Sequence, residues 1–281
     1  MDDFEVYLEA RGRSGTTIRR YLQVARTFVE FTGKSSRFTI EDVMRFLARQ
    51  KTGSHKRFLY YVLKTLFKSM NIEWILDTGD VPSRSEPKRP YFNLEETEKI
   101  LNTVDKRGTL RDRTLIHLAG ITGARRQEFR DMDREDYKDG RVYIKTAKKG
   151  EPRWRALDPV TRDILEQYLD SRHDGHPAMF WGAKREQGWR LSVQQLNRIL
   201  KRYLERASVH KPRAGFHSFR RGLVTILHKR GLSEKEIQEY GGWRSPFMVH
   251  EYIQLEPGEV EAKVKAVHPF FAKDKEEEEK G

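Results

Sequence analysis

Apolar residues recur every three or four positions through much of this chain, which is the spacing of an amphipathic helix. Residues 1–77 contain four such stretches, so we predict a small helical bundle there. Several stretches begin with a hydroxyl or amide residue followed three positions later by an acidic or amide residue, which is the signature of a capping box. These pairs are Thr39 with Asp42, Asn93 with Glu96, Ser192 with Gln195, and Ser233 with Glu236.

Two stretches depart from the helical period. Residues 78–92, TGDVPSRSEPKRPYF, hold three prolines among polar residues and are predicted to be a linker. Residues 136–159 are predicted to form three short strands, with turns at Asp139-Gly140 and Lys149-Gly150. The predicted fold is therefore mainly α with a small antiparallel β-sheet (α+β). We expect a helical domain over 1–77, the linker over 78–92, and a second domain over 93–258.

Residues 259–281 form a separate C-terminal segment. Val260, Val264 and Val267 follow at helical spacing, then Phe270-Phe271, then a charged tail that ends EEEEKG. The apolar residues predict a helix that either packs on its own domain or docks on another copy of the chain. The tail is expected to be disordered.

Positive charge is spread over both predicted domains. The net charge is +13; residues 1–90 hold 17 Lys/Arg against 11 Asp/Glu, and residues 91–272 hold 35 against 26. Such a balance favours a polyanionic partner, above all a nucleic acid, although an ion-pair-rich thermophile surface is the competing interpretation. The chain has no cysteine, which excludes disulfides and thiolate chemistry. It has no apolar run of membrane-spanning length, and its acidic, amphipathic start MDDFEVYLEA is not expected to be a signal peptide.

Basic residues cluster at two places in the predicted helical bundle. Any one of them is explained by an ordinary solvated surface, but the clustering suggests contacts with DNA phosphates. The candidate DNA-binding residues are Arg11, Arg19, Arg20, Lys51, Lys56, Arg57 and Lys64.

The residues with the most suggestive chemistry lie between positions 216 and 252. His217 and Arg220 are three apart and share a helical face. A buried stripe is predicted at Phe219, Leu223, Ile226 and Leu227. The helix that starts at Ser233 should end at Gly241-Gly242, and Ser245-Pro246 should begin another that leads toward Tyr252.

Further candidates precede this stretch. The segment Thr122-Gly123-Ala124-Arg125 is followed by Glu128, and Lys148 lies in the second strand turn. The chain lacks a P-loop, and its histidines lack metal-ligand spacing. A phosphoryl-transfer enzyme without a metal ion would have to neutralise the negative charge of its transition state with cationic side chains.

Taken together and in order, these motifs resemble the tyrosine recombinase (phage-type integrase) family, and are most similar to its compact Xer-like and archaeal members. Two differences stand out. Arg221 follows the second arginine where the family often has His, and Tyr240-Gly241-Gly242 replaces the usual Leu-Gly. The matching positions are Arg125, Lys148, His217, Arg220, Trp243 and Tyr252.

The resemblance implies a role for each matching residue. Tyr252 would attack a DNA phosphodiester and form a 3′-phosphotyrosyl link, while Arg125 and Arg220 bind the phosphate oxygens. Lys148, or alternatively Lys149, would protonate the leaving 5′-oxygen. His217 would act as acid/base and Trp243 as an N–H donor. Arg221, where the chain differs from the family, is predicted to be a further DNA contact, and no cofactor, metal or ATP is expected.

The resemblance also implies a core-binding domain over 1–77 and a catalytic domain over 93–258. The expected partners are double-stranded DNA and further copies of the chain, in a homotetramer on DNA and a monomer or dimer away from it. We expect a soluble, cytoplasmic, nucleoid-associated protein. Two alternatives remain open: a type IB topoisomerase-like enzyme that relaxes DNA, and a DNA-binding protein without catalysis.

Overall fold

The computed structural model describes residues 1–34, 36–77, 79–81, 89–145, 151–182, 189–243, 245–255 and 257–267. The chain divides into two compact units, Met1–Lys88 and Arg89–Gly281. Among the described helices, none has the length and apolarity needed to cross a lipid bilayer.

In the residues that the structure describes, the first unit has four helices around an aromatic core. Phe28 lies at its centre and contacts the rings of Phe38, Phe46 and Phe67. Such rings bury a large apolar area each, which suits a unit of under 90 residues. The helices are α1 (Asp2–Ala10), α2 (Gly15–Thr32), α3 (Ile40–Ala48) and α4 (Gly53–Ser69).

The second unit is built on helices that surround α6. The capping boxes predicted at Asn93, Ser192 and Ser233 are formed, each with the expected hydrogen bonds between side chain and backbone. The helices are α5 (Leu94–Arg107), α6 (Leu110–Thr122), α7 (Arg126–Asp131), α8 (Pro159–Asp170), α9 (Val193–Arg206), α10 (Phe216–Lys229), α11 (Glu234–Gly241), α12 (Pro246–His250) and α13 (Pro257–Val267).

The strands of the described segments form two small antiparallel sheets. Strands β1 (Tyr137–Lys138), β2 (Arg141–Ile144) and β3 (Arg153–Ala156) pair in that order. A second pair, β4 (Trp181–Gly182) with β5 (Trp189–Arg190), was not predicted, because two-residue strands have no measurable period. The predicted fold class, mainly α with a small antiparallel sheet, is confirmed.

The buried face of α10 differs from the predicted apolar stripe. Phe219 is buried, but Leu223, Ile226 and Leu227 are only half-buried. Arg220 and Thr225 are buried instead. Their polar groups are tolerated there because both side chains form hydrogen bonds to backbone carbonyls of neighbouring segments.

Helix α13 presents two of its valines to solvent. Val260 and Val264 are each 43% exposed. Its contact with the rest of the unit includes an ion pair of 2.5 Å between Lys229 and Glu259. The predicted Phe270-Phe271 pair and the acidic tail lie outside the described residues.

Candidate active site

The predicted histidine and tyrosine are direct neighbours. His217 occupies the second position of α10, and its Nε2 lies 3.0 Å from the Tyr252 hydroxyl. The two rings are almost perpendicular, at 87°. A neutral imidazole at this distance can accept the phenol proton.

Tyr252 lies just beyond α12, and its backbone is held on both sides. Its N–H donates to the Val249 carbonyl at 2.8 Å. Its own carbonyl accepts a hydrogen bond of 3.2 Å from the Thr225 hydroxyl of α10. The same hydroxyl accepts from the Gln254 N–H at 3.3 Å. One buried threonine therefore fixes the tyrosine segment against the helix that carries His217.

Arg220 is the central cation of the site and is only 1% exposed. Its Nη1 donates to the Gly123 carbonyl at 3.0 Å and its Nη2 to the Gly241 carbonyl at 3.1 Å. The guanidinium carbon lies 4.0 Å from the centre of the Trp243 ring, a cation–π contact. These contacts fix the plane of the guanidinium, and among the described residues no carboxylate forms an ion pair with it.

A pair of glycines brings Trp243 beneath Arg220. Gly242 ends α11 with φ of 64°, a left-handed conformation that favours glycine. A Cβ atom at Gly241 would lie 1.3 Å from a carbon of the Trp243 ring. The turn therefore allows the indole to fold back against α11, where Trp243 joins Tyr252 in a small buried cluster.

Arg125 is oriented by a buried carboxylate. Glu128 accepts from the Arg125 backbone N–H at 2.8 Å with one oxygen and from Nη1 at 2.8 Å with the other. The second arginine near this carboxylate is Arg153 of β3, whose Nη2 lies 3.8 Å away. Glu128 thus holds the first predicted arginine in place.

The site has a large excess of positive charge. Burial, and then repulsion from Arg221, Arg220, Arg125 and Arg89, together lower the pKa of His217 to about 3. Burial, then Arg125 and Arg153, lower the pKa of Arg220 to about 9. His217 is consequently neutral at pH 7, whereas Arg220 stays charged.

Arg221 occupies a different environment from the one expected of a surface DNA contact. It is buried, and its guanidinium carbon lies 5.7 Å from the centre of the Tyr252 ring. Its Nη1 also approaches the Pro90 carbonyl at 3.5 Å. Arg221 is therefore part of the wall around the nucleophile.

Lys148 and its alternative Lys149 lie outside the described residues. The first described residue after them is Glu151, whose N–H approaches the Gly242 carbonyl at 3.4 Å. The segment that contains the lysines therefore leads into a residue that contacts the Gly-Gly turn of the site.

The candidate DNA-binding residues of the first unit lie at or near its surface. Lys56 and Arg57 are half-buried, and the others are exposed. The guanidinium groups of Arg11 and Arg20 lie 4.7 Å and 4.6 Å from the ring centres of Tyr7 and Phe58. The exposed members are Arg11, Arg19, Arg20, Lys51 and Lys64.

Sequence reasoning missed two groups at the site, Arg153 and Thr225. Strand β3 reads Arg153-Trp154-Arg155, and ordinary alternation predicts that the tryptophan points inward. The burial is reversed: both arginines are buried, while Trp154 is 45% exposed. No local signal marks Thr225, since its role depends on a segment 27 residues away.

Comparison with known proteins gives a consistent set of matches. The sequence model described as the phage integrase family matches residues 90–259. The tyrosine recombinase XerA of Pyrococcus furiosus is 27% identical over 261 residues, which cover 91% of this chain and 89% of that protein.

Two solved structures share the fold at low sequence identity. The first is the XerH site-specific recombinase bound to a palindromic difH substrate in a post-cleavage complex, with a TM-score of 0.74 and 19% identity. That match covers 92% of this chain and 82% of the other. The second is a lambda integrase tetramer bound to a Holliday junction, with a TM-score of 0.71, 19% identity, and coverage of 90% and 76%.

Proposed function

This chain belongs to the phage integrase family, and from that premise we propose that it is a site-specific DNA recombinase with Tyr252 as its nucleophile. The observation that carries the assignment is the 3.0 Å contact between the Tyr252 hydroxyl and a neutral His217. Within the described part of the chain, this pair lies among several arginines whose combined charge exceeds that of the neighbouring Glu128 carboxylate. Buried cations in such excess require an anion, and a DNA phosphodiester supplies one.

The first step is activation of the tyrosine. A free phenol has a pKa near 10 and needs a proton acceptor. His217 accepts the proton from the Tyr252 hydroxyl. The surrounding arginines hinder this step in the empty site, because they repel the imidazolium that forms. An incoming phosphate offsets that repulsion, so substrate binding raises the proton affinity of His217.

The second step is transfer of the phosphoryl group. The Tyr252 oxygen forms a bond to phosphorus while the bond from phosphorus to the 5′-oxygen breaks. Arg125 and Arg220 each offer a planar fork of N–H donors to the non-bridging oxygens, whose charge grows in the transition state. Lys148 is proposed to protonate the leaving 5′-oxygen, which departs as a hydroxyl.

The third step is rejoining. A 5′-hydroxyl attacks the phosphotyrosyl link and gives its proton back to Lys148, while the bond from Tyr252 to phosphorus breaks and Tyr252 recovers its proton from His217. The number of phosphoester bonds is unchanged throughout, so the proposed reaction consumes no ATP. A hydroxyl from a second duplex produces recombination rather than resealing.

DNA contacts outside the site are proposed for the first unit. Arg11 and Arg20 hold their exposed guanidinium groups over aromatic rings. This arrangement supports phosphate binding, because part of the entropy cost of ordering these side chains is incurred before DNA binds. We propose that 1–77 is a core-binding domain, 78–92 a linker, 93–258 the catalytic domain and 259–281 a C-terminal docking segment. A protein that acts on chromosomal DNA would work in the cytoplasm, associated with the nucleoid.

Exchange between two duplexes requires four protomers, so a homotetramer on DNA is proposed, from monomers or dimers in its absence. The solvent-exposed Val260 and Val264 support docking of α13 on a neighbouring protomer. Truncation after Gly258 should abolish the tetramer on DNA while the fold stays intact. Unchanged assembly of the truncated chain would contradict the docking proposal.

The test of function uses recombination between two duplexes that carry candidate sites. We expect wild-type protein to produce recombinant joints in the presence of EDTA, and Tyr252→Phe to produce none while still binding both duplexes. Relaxation of a supercoiled plasmid without any recombinant joint would instead indicate a type IB topoisomerase-like activity.

A further inference from the structure

Arg153 is a buried cation beside the proposed active site that none of the predicted roles includes. It is the first residue of β3, pairs with Ile144 of β2, and is 8% exposed. Its Cδ lies so close to Gly242 that a Cβ atom there would be 2.9 Å away. Arg153 therefore lies between the Gly-Gly turn and the carboxylate of Glu128.

The hydrogen bonding of Arg153 is incomplete. Its Nη1 donates to the Glu151 carbonyl at 3.4 Å, whereas Nε and Nη2 have no hydrogen-bond partner within the described part of the chain. Nη2 faces Glu128 at 3.8 Å. A buried guanidinium with unpaired N–H groups is costly to fold, which argues that it serves the chemistry.

The charge balance at Glu128 suggests how Arg153 serves the chemistry. One carboxylate paired with one guanidinium is neutral, so Glu128 would cancel much of the charge that Arg125 offers to a phosphate. A second guanidinium at the same carboxylate offsets its negative charge. Arg125 then remains fixed by Glu128 and keeps its net attraction for an anion.

We propose that Arg153 is a positioning residue for DNA cleavage, which shares the Glu128 carboxylate with Arg125 and thereby preserves the charge of Arg125 for the scissile phosphate. This inference rests on the proposed function. Arg153 acts through Glu128 and Arg125 and need not contact the substrate.

The main test compares two suicide duplexes that differ at one atom. One carries a normal phosphodiester at the scissile position, and the other carries a methylphosphonate, whose methyl group replaces a charged oxygen. Arg153→Met should slow formation of the covalent adduct about 10- to 100-fold on the phosphodiester, the range for losing one charge-assisted interaction. On the uncharged methylphosphonate the loss should shrink to about threefold or less, because less charge must be neutralised.

A double variant tests the proposal in the opposite direction, because it should recover part of the cleavage rate that Arg153→Met loses. Glu128→Gln removes the carboxylate that Arg153 offsets, so Arg153→Met with Glu128→Gln should cleave faster than Arg153→Met alone. Arg153→Lys, which keeps the charge, should retain most of the wild-type rate. If Arg153 merely supports the fold, neither the double variant nor the change of substrate will restore activity, and the proposal is overturned.

Arg155 provides the matched control. It is buried on the same face of β3, but its guanidinium carbon lies 4.1 Å from the centre of the Tyr240 ring. Arg155→Met should change the cleavage of both duplexes by the same factor. A charge-selective loss in Arg155→Met as large as that in Arg153→Met would overturn the specific role of Arg153.

Failure of the proposed function is distinguishable from failure of this inference. If wild-type protein forms no adduct on either duplex, the proposed function fails. A double-mutant cycle in urea unfolding then decides whether Arg153 and Glu128 are coupled. Coupling of about fivefold or more in the unfolding equilibrium supports the shared carboxylate, and coupling below about twofold overturns it.

Discussion

Replacing His217 with Gln should remove a large part of the acid sensitivity of this protein. Gln keeps a polar group within reach of the Tyr252 hydroxyl but does not titrate. In the wild-type protein, burial and the surrounding arginines lower the pKa of His217 from 6.5 to about 3. Between these two values the unfolded chain binds the proton and the folded chain does not. Acidification therefore favours unfolding.

The magnitude follows from the two pKa values. At pH 7.5 both states are almost entirely deprotonated at His217, so the residue adds almost nothing to the pH dependence of stability. At pH 5 the unfolded state is stabilised by its bound proton by about 2 kcal/mol. The contribution of His217 to the free energy of unfolding is thus retained above pH 6.5 and is lost progressively as the pH falls toward 3.

Urea unfolding at pH 7.5 and pH 5 measures this loss in both proteins. Other groups titrate over this range, but they do so in both proteins and cancel in the difference. We expect the wild type to lose about 2 kcal/mol more than His217→Gln. Equal losses in the two proteins would show that His217 titrates normally when folded, and would refute the neutral-base argument.

Two further substitutions test the supports of the site. Thr225→Val should lower the free energy of unfolding in urea by about 1–3 kcal/mol, because the Tyr252 carbonyl and the Gln254 N–H lose their shared partner. Thr225→Ser keeps the hydroxyl and should retain the wild-type stability. Equal stability of all three proteins would contradict these two hydrogen bonds. Gly242→Ala should cost at least about 1 kcal/mol, since φ is 64° and the new Cβ would lie 3.0 Å from the Glu151 carbonyl. An unchanged melting temperature in Gly242→Ala would contradict the described turn.

The starts of the helices could be predicted because capping is local. Each pair, such as Thr39 with Asp42 or Ser233 with Glu236, lies within four residues, and the observed hydrogen bonds join those same residues. The assembly of the site could not be derived this way. The bond from Arg220 to the Gly123 carbonyl spans 97 residues, so only the resemblance in motif order suggested that the two segments meet.

Strand β3 shows where periodicity gives the wrong answer. Alternation assumes that the inward face of a strand meets an apolar core, which would turn Trp154 inward. Here that face meets the carboxylate of Glu128 and the ring of Tyr240, both of which favour a cation. Arg153 and Arg155 are therefore buried, and no pattern within the strand reveals the elements opposite it.

The central claim is that the Tyr252 hydroxyl becomes covalently bonded to DNA. Mass spectrometry of the trapped adduct, after digestion with nuclease and protease, tests it most directly. We predict a nucleotide mass on the peptide that contains Tyr252, and none on the peptide that contains the half-buried Tyr240. A nucleotide on another residue, with Tyr252 unmodified, would contradict the account.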